Sequence, residues 1–426
     1  MVRYLQAEQA KVEIMNKKTI WLINQYAMPP QYESRLRTIK FAQYLKVKGY
    51  DVTIFASSIM HNMDIDLIEG KESYIERDYD NLHFVHIKAN NYQNNGVARI
   101  ISSFQFHWRL VKLASKFNKP DVIVQTALVP FGNVVARLAK KTGARYIVEV
   151  LDLWPNSLVE LGAAKASNPV IKYLYHLEYE QYQHADELVF SQEGGPDYLS
   201  DRKWYKDQGG KLDREHVYYI NNGVDLHDFE VFKKEYVLED EDLKNDSVKK
   251  VIYIGSIRFA NNVGSLIDAA KRLQDLTDVK ILIYGNGDDR PALEKRCKDE
   301  SINNVVFKQT WIDPKYVPYV LSKSYVNILN YMPGQFGTYG GSQSKMFQYM
   351  ASGHPICCNL EMMYCPIKKH DIGIAKVYAD ADAYASAIRL ILTMPKDEYE
   401  AMCNRARKAA EKYDYQVLVD KLVKLF

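Results

Sequence analysis

The sequence predicts an α/β chain made of two doubly wound, Rossmann-like domains in tandem. Three observations carry that prediction. Short apolar runs of strand character alternate with amphipathic helical stretches along most of the chain. The series is interrupted near residues 216–245, where an Asn-Asn-Gly turn leads into a charged run. At 426 residues, 47% hydrophobic and 26% charged, the chain is too long for one core and ordinary in composition for a globular protein.

The elements follow in order. "TIWLINQY" (19–26) has the pattern of a buried strand, "YESRLRTIKFAQYLKVKG" of an amphipathic helix ending at Gly49, and "YDVTIFASS" of a second strand. Such a βαβ unit builds a parallel sheet covered by helices. Further strands are expected at 82–89, 121–127, 145–151 and 187–192. The run "KKEYVLEDEDLKNDSVKK" reads as a linker or exposed excursion. A second βα series then starts at "KVIYIGS" (250–256) and continues through 279–287, 304–310, 325–331 and 355–360. The expected organisation is a loose leader (1–18), a first domain (19–215), a second (216–410) and an amphipathic C-terminal helix (411–426), which the family resemblance given below implies reaches back toward the first domain. In open α/β sheets the strand ends facing a cleft are the usual place for a site.

Composition and motifs exclude several function classes. Fifty-six basic against 53 acidic residues, a net charge of +3, give no reason to expect a nucleic-acid partner. Five cysteines without a CxxC pair or zinc-type spacing fit reduced thiols and a cytoplasmic location. No stretch is apolar for long enough to span a bilayer, and the first 18 residues are polar and mixed in charge, unlike a signal peptide. The turn after the first strand, "AMPPQYES", holds no glycine, and "YGNGDD" follows a later strand, so NAD or FAD binding is not expected. "DID" (64–66) and "DAD" (380–382) match an aspartate-x-aspartate pattern, but such triplets are common in loops.

The stretch "GTYGGSQSKMFQYMASGHPI" (337–356) is the most informative. A glycine- and hydroxyl-rich loop leads into a helix, with Ser344 as the expected N-cap and Lys345 in the first turn. Lys345, Gln348 and Ser352 share one helical face, Met346, Phe347, Met350 and Ala351 the other, and Gly353 with Pro355 ends the helix. A lysine opposes the helix dipole in the first turn, so a bound anion explains its placement better than simple solvation does.

Taken in order, "NGVDLHDF" (222–229), "YIGSIRFANNVGSLIDAA" (253–270), "ILIYGNGDDRPALEK" (281–295) and "SKMFQYMASGHPI" (344–356) resemble glycosyltransferase family 4. "EVLDLWPNSLVELG" (149–162) is similar to a segment of members that build bacterial surface polysaccharides. The resemblance implies the GT-B fold, two Rossmann-like domains facing a central cleft. It also implies transfer of a sugar from a nucleoside-diphosphate donor, a UDP-sugar favoured, with retention of configuration and without a metal or other cofactor. The glycan or lipid-linked acceptor would belong to capsule or O-antigen type polysaccharide assembly. Gly340, Gly341, Ser342, Gln343, Ser344 and Lys345 become the diphosphate cradle, and Arg258 a second cation for the departing diphosphate. The family's glutamate pair, which grips the sugar and ribose, falls on Gly340 and Gln348, and its usual lysine falls on Val263. Two other readings stay open: a non-hydrolysing nucleotide-sugar epimerase, and a catalytically weak sugar-nucleotide-binding subunit.

Trp311, in "KQTWID" (308–313), either stacks on the nucleotide base or packs at its strand end. Asp152, just past a strand's carboxyl end, either serves the acceptor hydroxyl or caps the helix starting near Pro155. Asn156 and Glu160 are weaker candidates beside it. Arg35 and Arg37 read as exposed helix arginines, one of which reaches an anionic acceptor on a functional reading. The basic-aromatic stretch 98–119 suits a peripheral contact with the inner face of a plasma membrane, although a helix packed on the sheet with snorkelling basic ends is the simpler reading. Oligomeric state is not legible.

Overall fold

The first βαβ unit forms where the sequence places it. In the computed structural model β1 (Thr19–Ile23) and β2 (Asp51–Ser57) run parallel, in register from Thr19–Asp51 to Ile23–Phe55. Helix α1 (Arg37–Val47) crosses between them. The structure describes residues 17–32, 36–60, 63–92, 97–127, 130–160, 162–332 and 337–426. The expected leader, Lys17 and Lys18 excepted, and Arg35 lie outside the described residues.

Six more strands complete the first sheet: β3 (Tyr74–Tyr79), β4 (Leu82–Ile87), β5 (Val122–Thr126), β6 (Arg145–Val150), β7 (Glu187–Phe190) and β8 (Val217–Tyr219). Their order is β3-β4-β2-β1-β5-β6-β7-β8, all parallel except β3 against β4. Sequence periodicity misses β3 because "YIERDY" is an edge strand with little buried apolar surface. Its hairpin is made by Asp80 and Asn81, both at positive φ. Helices α2 (Val97–Leu113), α3 (Asn133–Thr142) and α4 (Pro169–Tyr182) cover this sheet's connections.

The second sheet is wholly parallel. Its strands β9 (Lys249–Ile254), β10 (Val279–Tyr284), β11 (Val305–Phe307), β12 (Val326–Leu329), β13 (Ile356–Cys358) and β14 (Gly373–Ala375) lie in the order β11-β10-β9-β12-β13-β14. Both faces are buried, as a parallel sheet requires. Ile252, Leu282 and Leu329 pack with Met346, Phe347 and Met350 on one side. Val251, Ile281 and Ile283 pack with Leu266, Ile267 and Ile388 on the other.

Contacts divide the chain into two units, residues 1–191, 195–220 and 419–426 in the first and 192–194 with 221–418 in the second. Strand β8 therefore carries the first unit to Ile220, past the boundary expected at 215. In the C-terminal segment, Asp420 pairs with Lys48 and the Phe426 ring meets Tyr50 edge-on at 5.4 Å. The charged run after residue 233 is not a free linker. Asp240 and Asp242 hold Lys308 at 2.8 and 2.6 Å, Asp242 also holds Lys280 at 2.6 Å, and Leu243 is fully buried. All five cysteines are buried free thiols. No described helix is long and apolar enough to cross a membrane.

Candidate functional site

In the second unit, three loops layer closely where β9, β10 and β11 end. Gly255, Gly285 and Gly287 have φ of +150°, +123° and +157°. A Cβ on Gly285 would lie 2.0 Å from the Gly255 carbonyl oxygen, and one on Gly287 would lie 2.2 Å from that of Ile257. Only glycine permits that approach. The Ile257 N–H donates to the Asn286 carbonyl at 2.8 Å and the Gly285 N–H to that of Gln309 at 3.0 Å. Arg290, buried, donates to the Gly285 and Lys308 carbonyls at 2.5 and 2.7 Å. The sequence reading missed Arg290, since an arginine opening a helix looks like any solvated one. Arg258 stands exposed on this layer, before the 3-10 turn Phe259–Asn261. Val263, at the family's lysine position, is buried in the core. Trp311 is 72% exposed, so packing does not account for it.

Helix α5 (Ser344–Ser352) follows the glycine-rich loop and ends at Gly353 in the left-handed conformation, as expected. Its N-cap is Gln343 rather than Ser344, which is the first helical residue, and no side chain caps the first turn. The Met346 N–H donates to the Gln343 carbonyl at 3.0 Å, which leaves those of Ser344 and Lys345 for other partners. Met346, Phe347 and Met350 anchor the helix in the core. Lys345 and Gln348 are partly buried on the opposite side. The Lys345 amine sits 4.9 Å from the centre of the Tyr253 ring, and a Cβ on Gly255 would lie 3.2 Å from its Nζ. It forms no ion pair among the described residues. Desolvation pushes its pKa down to about 8.

The preceding loop is pinned by groups that the sequence reading did not select. Gly340 has φ +87°, and its N–H donates to the Gly337 carbonyl at 2.9 Å. Ser342 is buried: its Oγ accepts from the Asn222 N–H at 2.8 Å and its carbonyl from Asn222 Nδ2 at 2.6 Å. The Gly194 N–H donates to the Tyr339 carbonyl at 3.0 Å, and a Cβ on Gly194 would lie 2.7 Å from that oxygen. Gly341 lies against Met362, and the Gln343 carbonyl oxygen Oε1 is buried without a partner among the described residues. Beside the loop, Glu193 is paired with Lys369 at 2.7 Å. The Gly-Gly of "SQEGGP" was the available signal for this second backbone approach.

In the first unit, β6 carries Glu149, and the segment after it carries Asp152 and Asn156. Glu149 is buried and takes Arg37 at 2.8 Å, and Arg37 also donates to the Ile220 carbonyl at 2.8 Å. Arg37 is therefore buried and paired, not the exposed helix arginine expected. Asp152, past the strand end, is exposed, yet surrounding protein raises its carboxyl above the ordinary range by desolvation, opposed by bonds from the Ser157 side chain and the Leu153 backbone. Those bonds leave both the helix-cap and the chemical role open to it. Asn156 is buried and occupied, accepting from Tyr175 at 3.0 Å and Arg202 at 2.8 Å. Glu160 is partly buried one turn later. Beneath them Glu178 is fully buried, accepts from Tyr182 and Tyr198 at 2.8 and 2.7 Å, and has a pKa pushed up to about 8 by burial. Periodicity alone could not distinguish it from a solvated helix glutamate.

Among the described residues no three His, Cys, Asp or Glu side chains gather to hold a metal. The two triplets have local uses: Asp66 accepts from the Ile68 N–H at 3.0 Å, Asp64 from Asn91 at 2.8 Å, and Asp380 caps the helix Ala381–Leu392 through the Ala383 N–H at 2.8 Å.

Residues 238–412, within the second unit, match the family model described as glycosyl transferases group 1. No curated protein sequence matches the chain. Among solved structures it is similar to a sucrose-phosphate synthase from Thermosynechococcus elongatus, with TM-score 0.72, 16% identity and coverage of 96% of this chain and 98% of that one. A structure from E. coli titled trehalose-6-phosphate bound with UDP-2-fluoro glucose gives TM-score 0.70, 12% identity and coverage of 95% and 98%. WaaG, a glycosyltransferase involved in lipopolysaccharide biosynthesis, gives TM-score 0.64, 13% identity and coverage of 95% and 99%. At these identities the likeness shows the fold, that of the GT-B proteins with two Rossmann-like domains.

Proposed function

We propose that this protein is a retaining glycosyltransferase that moves a sugar from a nucleoside-diphosphate donor, a UDP-sugar, to a glycan or lipid-linked acceptor in bacterial surface polysaccharide assembly. The observation that carries the reading is Lys345: an unpaired, desolvated lysine in an uncapped first turn, facing a glycine turn. A free ammonium in that setting is costly, and a bound diphosphate removes the cost by supplying the missing charge. The family match over residues 238–412 and the UDP-sugar in a structural neighbour support the same donor class.

The residues then divide the work. Lys345, Arg258 and the free N–H groups of helix α5 take the charge that builds on the departing diphosphate, without a metal ion. Gly340, Gly341, Gln343 and Ser344 line its approach, while Ser342 fixes the loop through Asn222. Gln348 hydrogen-bonds the ribose hydroxyls and the exposed Trp311 stacks on the base. Asp152 takes the proton of the acceptor hydroxyl or bonds the donor sugar. A glutamate cannot simply be restored at position 340, since φ +87° there strains any side chain but glycine's. That lends weight to a second reading, sugar-nucleotide binding without efficient turnover.

A panel of nucleotide sugars in thermal shift identifies the donor, since ligand at about 100 times its Kd adds about 2.7 kcal/mol to apparent stability. Incubation of the best donor with candidate acceptors follows. Transfer of the sugar with release of UDP supports the proposal, an isomerised donor supports an epimerase, and binding without turnover supports a binding subunit. Absence of any shift with every nucleotide sugar sinks all three.

A further inference from the structure

The glycine-rich loop before α5 offers amides, hydroxyls and one cation, but no acid. Between Asp313 and Glu361 the sequence holds no carboxylate at all. The middle of the loop has no place for one: Gly340 has φ +87°, and a Cβ there would meet the Met363 carbonyl oxygen at 3.3 Å. The two flanking acids have local uses. Asp313 accepts from the Lys315 N–H at 3.1 Å, and Glu361 is paired with Lys368.

A carboxylate reaches the loop from a distant part of the sequence. Residues 192–194 belong with the second unit. Gly194 ties them down, its N–H on the Tyr339 carbonyl at 3.0 Å with no room for a side chain between. The Glu193 nitrogen lies 3.8 Å from where a Cβ on Gly340 would stand. Both oxygens of its carboxylate accept from the Lys369 ammonium, at 2.7 and 3.0 Å. Lys369 ends the short helix Pro366–Lys369, and the Glu193 side chain stays 25% exposed. Each oxygen keeps a further lone pair. An ion pair this open adds little stability, so the fold alone does not account for a carboxylate clamped at this spot.

We propose that Glu193 holds the hydroxyls of the transferred sugar, with Lys369 fixing its orientation, and that the donor sugar is a neutral one. A carboxylate accepts from two neighbouring hydroxyls at once, and more strongly than an amide does. A uronic acid in the same place would set its own carboxylate against that of Glu193. The inference rests on the sugar-nucleotide reading above and adds to it a binding residue and a sugar class.

The test is calorimetry of the full chain with UDP, UDP-glucose, UDP-galactose and UDP-glucuronate. The parent should bind at least one neutral UDP-hexose more tightly than UDP, and UDP-glucuronate more weakly than that hexose. Glu193→Gln keeps the shape and removes the charge. Its affinity for UDP should not change, while that for the hexose falls about five- to tenfold and the bias against UDP-glucuronate shrinks. Lys369→Gln should act in the same sense but more weakly, whereas Glu361→Gln, which frees a surface lysine, should change none of the four affinities. An equal loss for UDP and the hexose in Glu193→Gln, or no loss for either, overturns the inference and leaves the UDP-donor reading standing. So does a parent that binds no neutral hexose better than UDP, or that prefers UDP-glucuronate. A parent that binds neither UDP nor any of the three sugars overturns both.

Discussion

The two units differ in one buried charge. In the first, the buried carboxylates are satisfied in place: Glu149 holds Arg37, and Glu178 accepts two tyrosine hydroxyls. In the second, Arg290 and Lys308 are satisfied in the same way, but Lys345 is desolvated and forms no ion pair among the described residues. A satisfied buried charge holds structure, whereas an unsatisfied one is a cost that persists for a reason outside the fold. The contrast therefore separates framework residues from those kept for a ligand, and Asp152, exposed but desolvated, falls between the two.

Arg37→Ala should give the largest effect, because it strands the buried Glu149. A loss of about 3–5 kcal/mol is expected for one half of a buried pair, read as a lower denaturant midpoint. A change under about 1 kcal/mol would mean that Glu149 simply takes up a proton, and the pair would not be framework.

Asp152→Asn keeps the shape and removes the charge. If the carboxylate acts on the acceptor, turnover falls about 10²–10³-fold while donor affinity stays within a few-fold. Lost stability with unchanged turnover would return Asp152 to the framework as a cap for Ser157.

Lys345→Ala should weaken donor binding by about 1.5–3 kcal/mol, roughly ten- to a hundredfold, without loss of stability, and the deficit should shrink as salt rises. The pH dependence carries a sign. Burial lowers the lysine to about 8, so below that pH it is already charged and donor affinity is flat. Above it, binding must first restore the proton, and affinity falls by up to about tenfold per pH unit. Calorimetry across this range should show proton uptake by the parent and none by Lys345→Ala. A parent profile without proton uptake would place the diphosphate elsewhere.

The smallest effect belongs to Gln348→Glu. An ionised acceptor makes a hydrogen bond about 1 kcal/mol stronger than an amide does, so UDP should bind about fivefold tighter if the side chain meets the ribose. A 2′,3′-dideoxy analogue should show no gain; equal tightening with that analogue would remove Gln348 from the ribose contact.

Much of the fold is legible in the sequence. Eleven of the 14 strands among the described residues coincide with apolar runs, because a parallel strand buried on both faces writes its whole length in apolar residues. The three missed ones, β3, β8 and β14, are short or lie at sheet edges and bury less. The candidate site is less legible. Lys345 and Arg258 stood out through local pattern and resemblance, but Asn222, Gly194 and Arg290, which hold the loops around them, look ordinary in their own segments. The apolar outer face of α2 (Ile100, Phe104, Trp108, Val111) was visible as composition, yet its direction was not.

By itself the sequence determined what periodicity and turn chemistry encode locally: two βα series, a glycine loop feeding a helix, and the stop at Gly353. Only the tertiary structure decided which polar groups are already used. Arg37 finds Glu149 across 112 residues and Ser342 finds Asn222 across 120, while Lys345 finds no charged partner among the described residues. The physical reason is that pairing depends on what the folded chain brings within about 3 Å, and no short stretch of sequence records that distance.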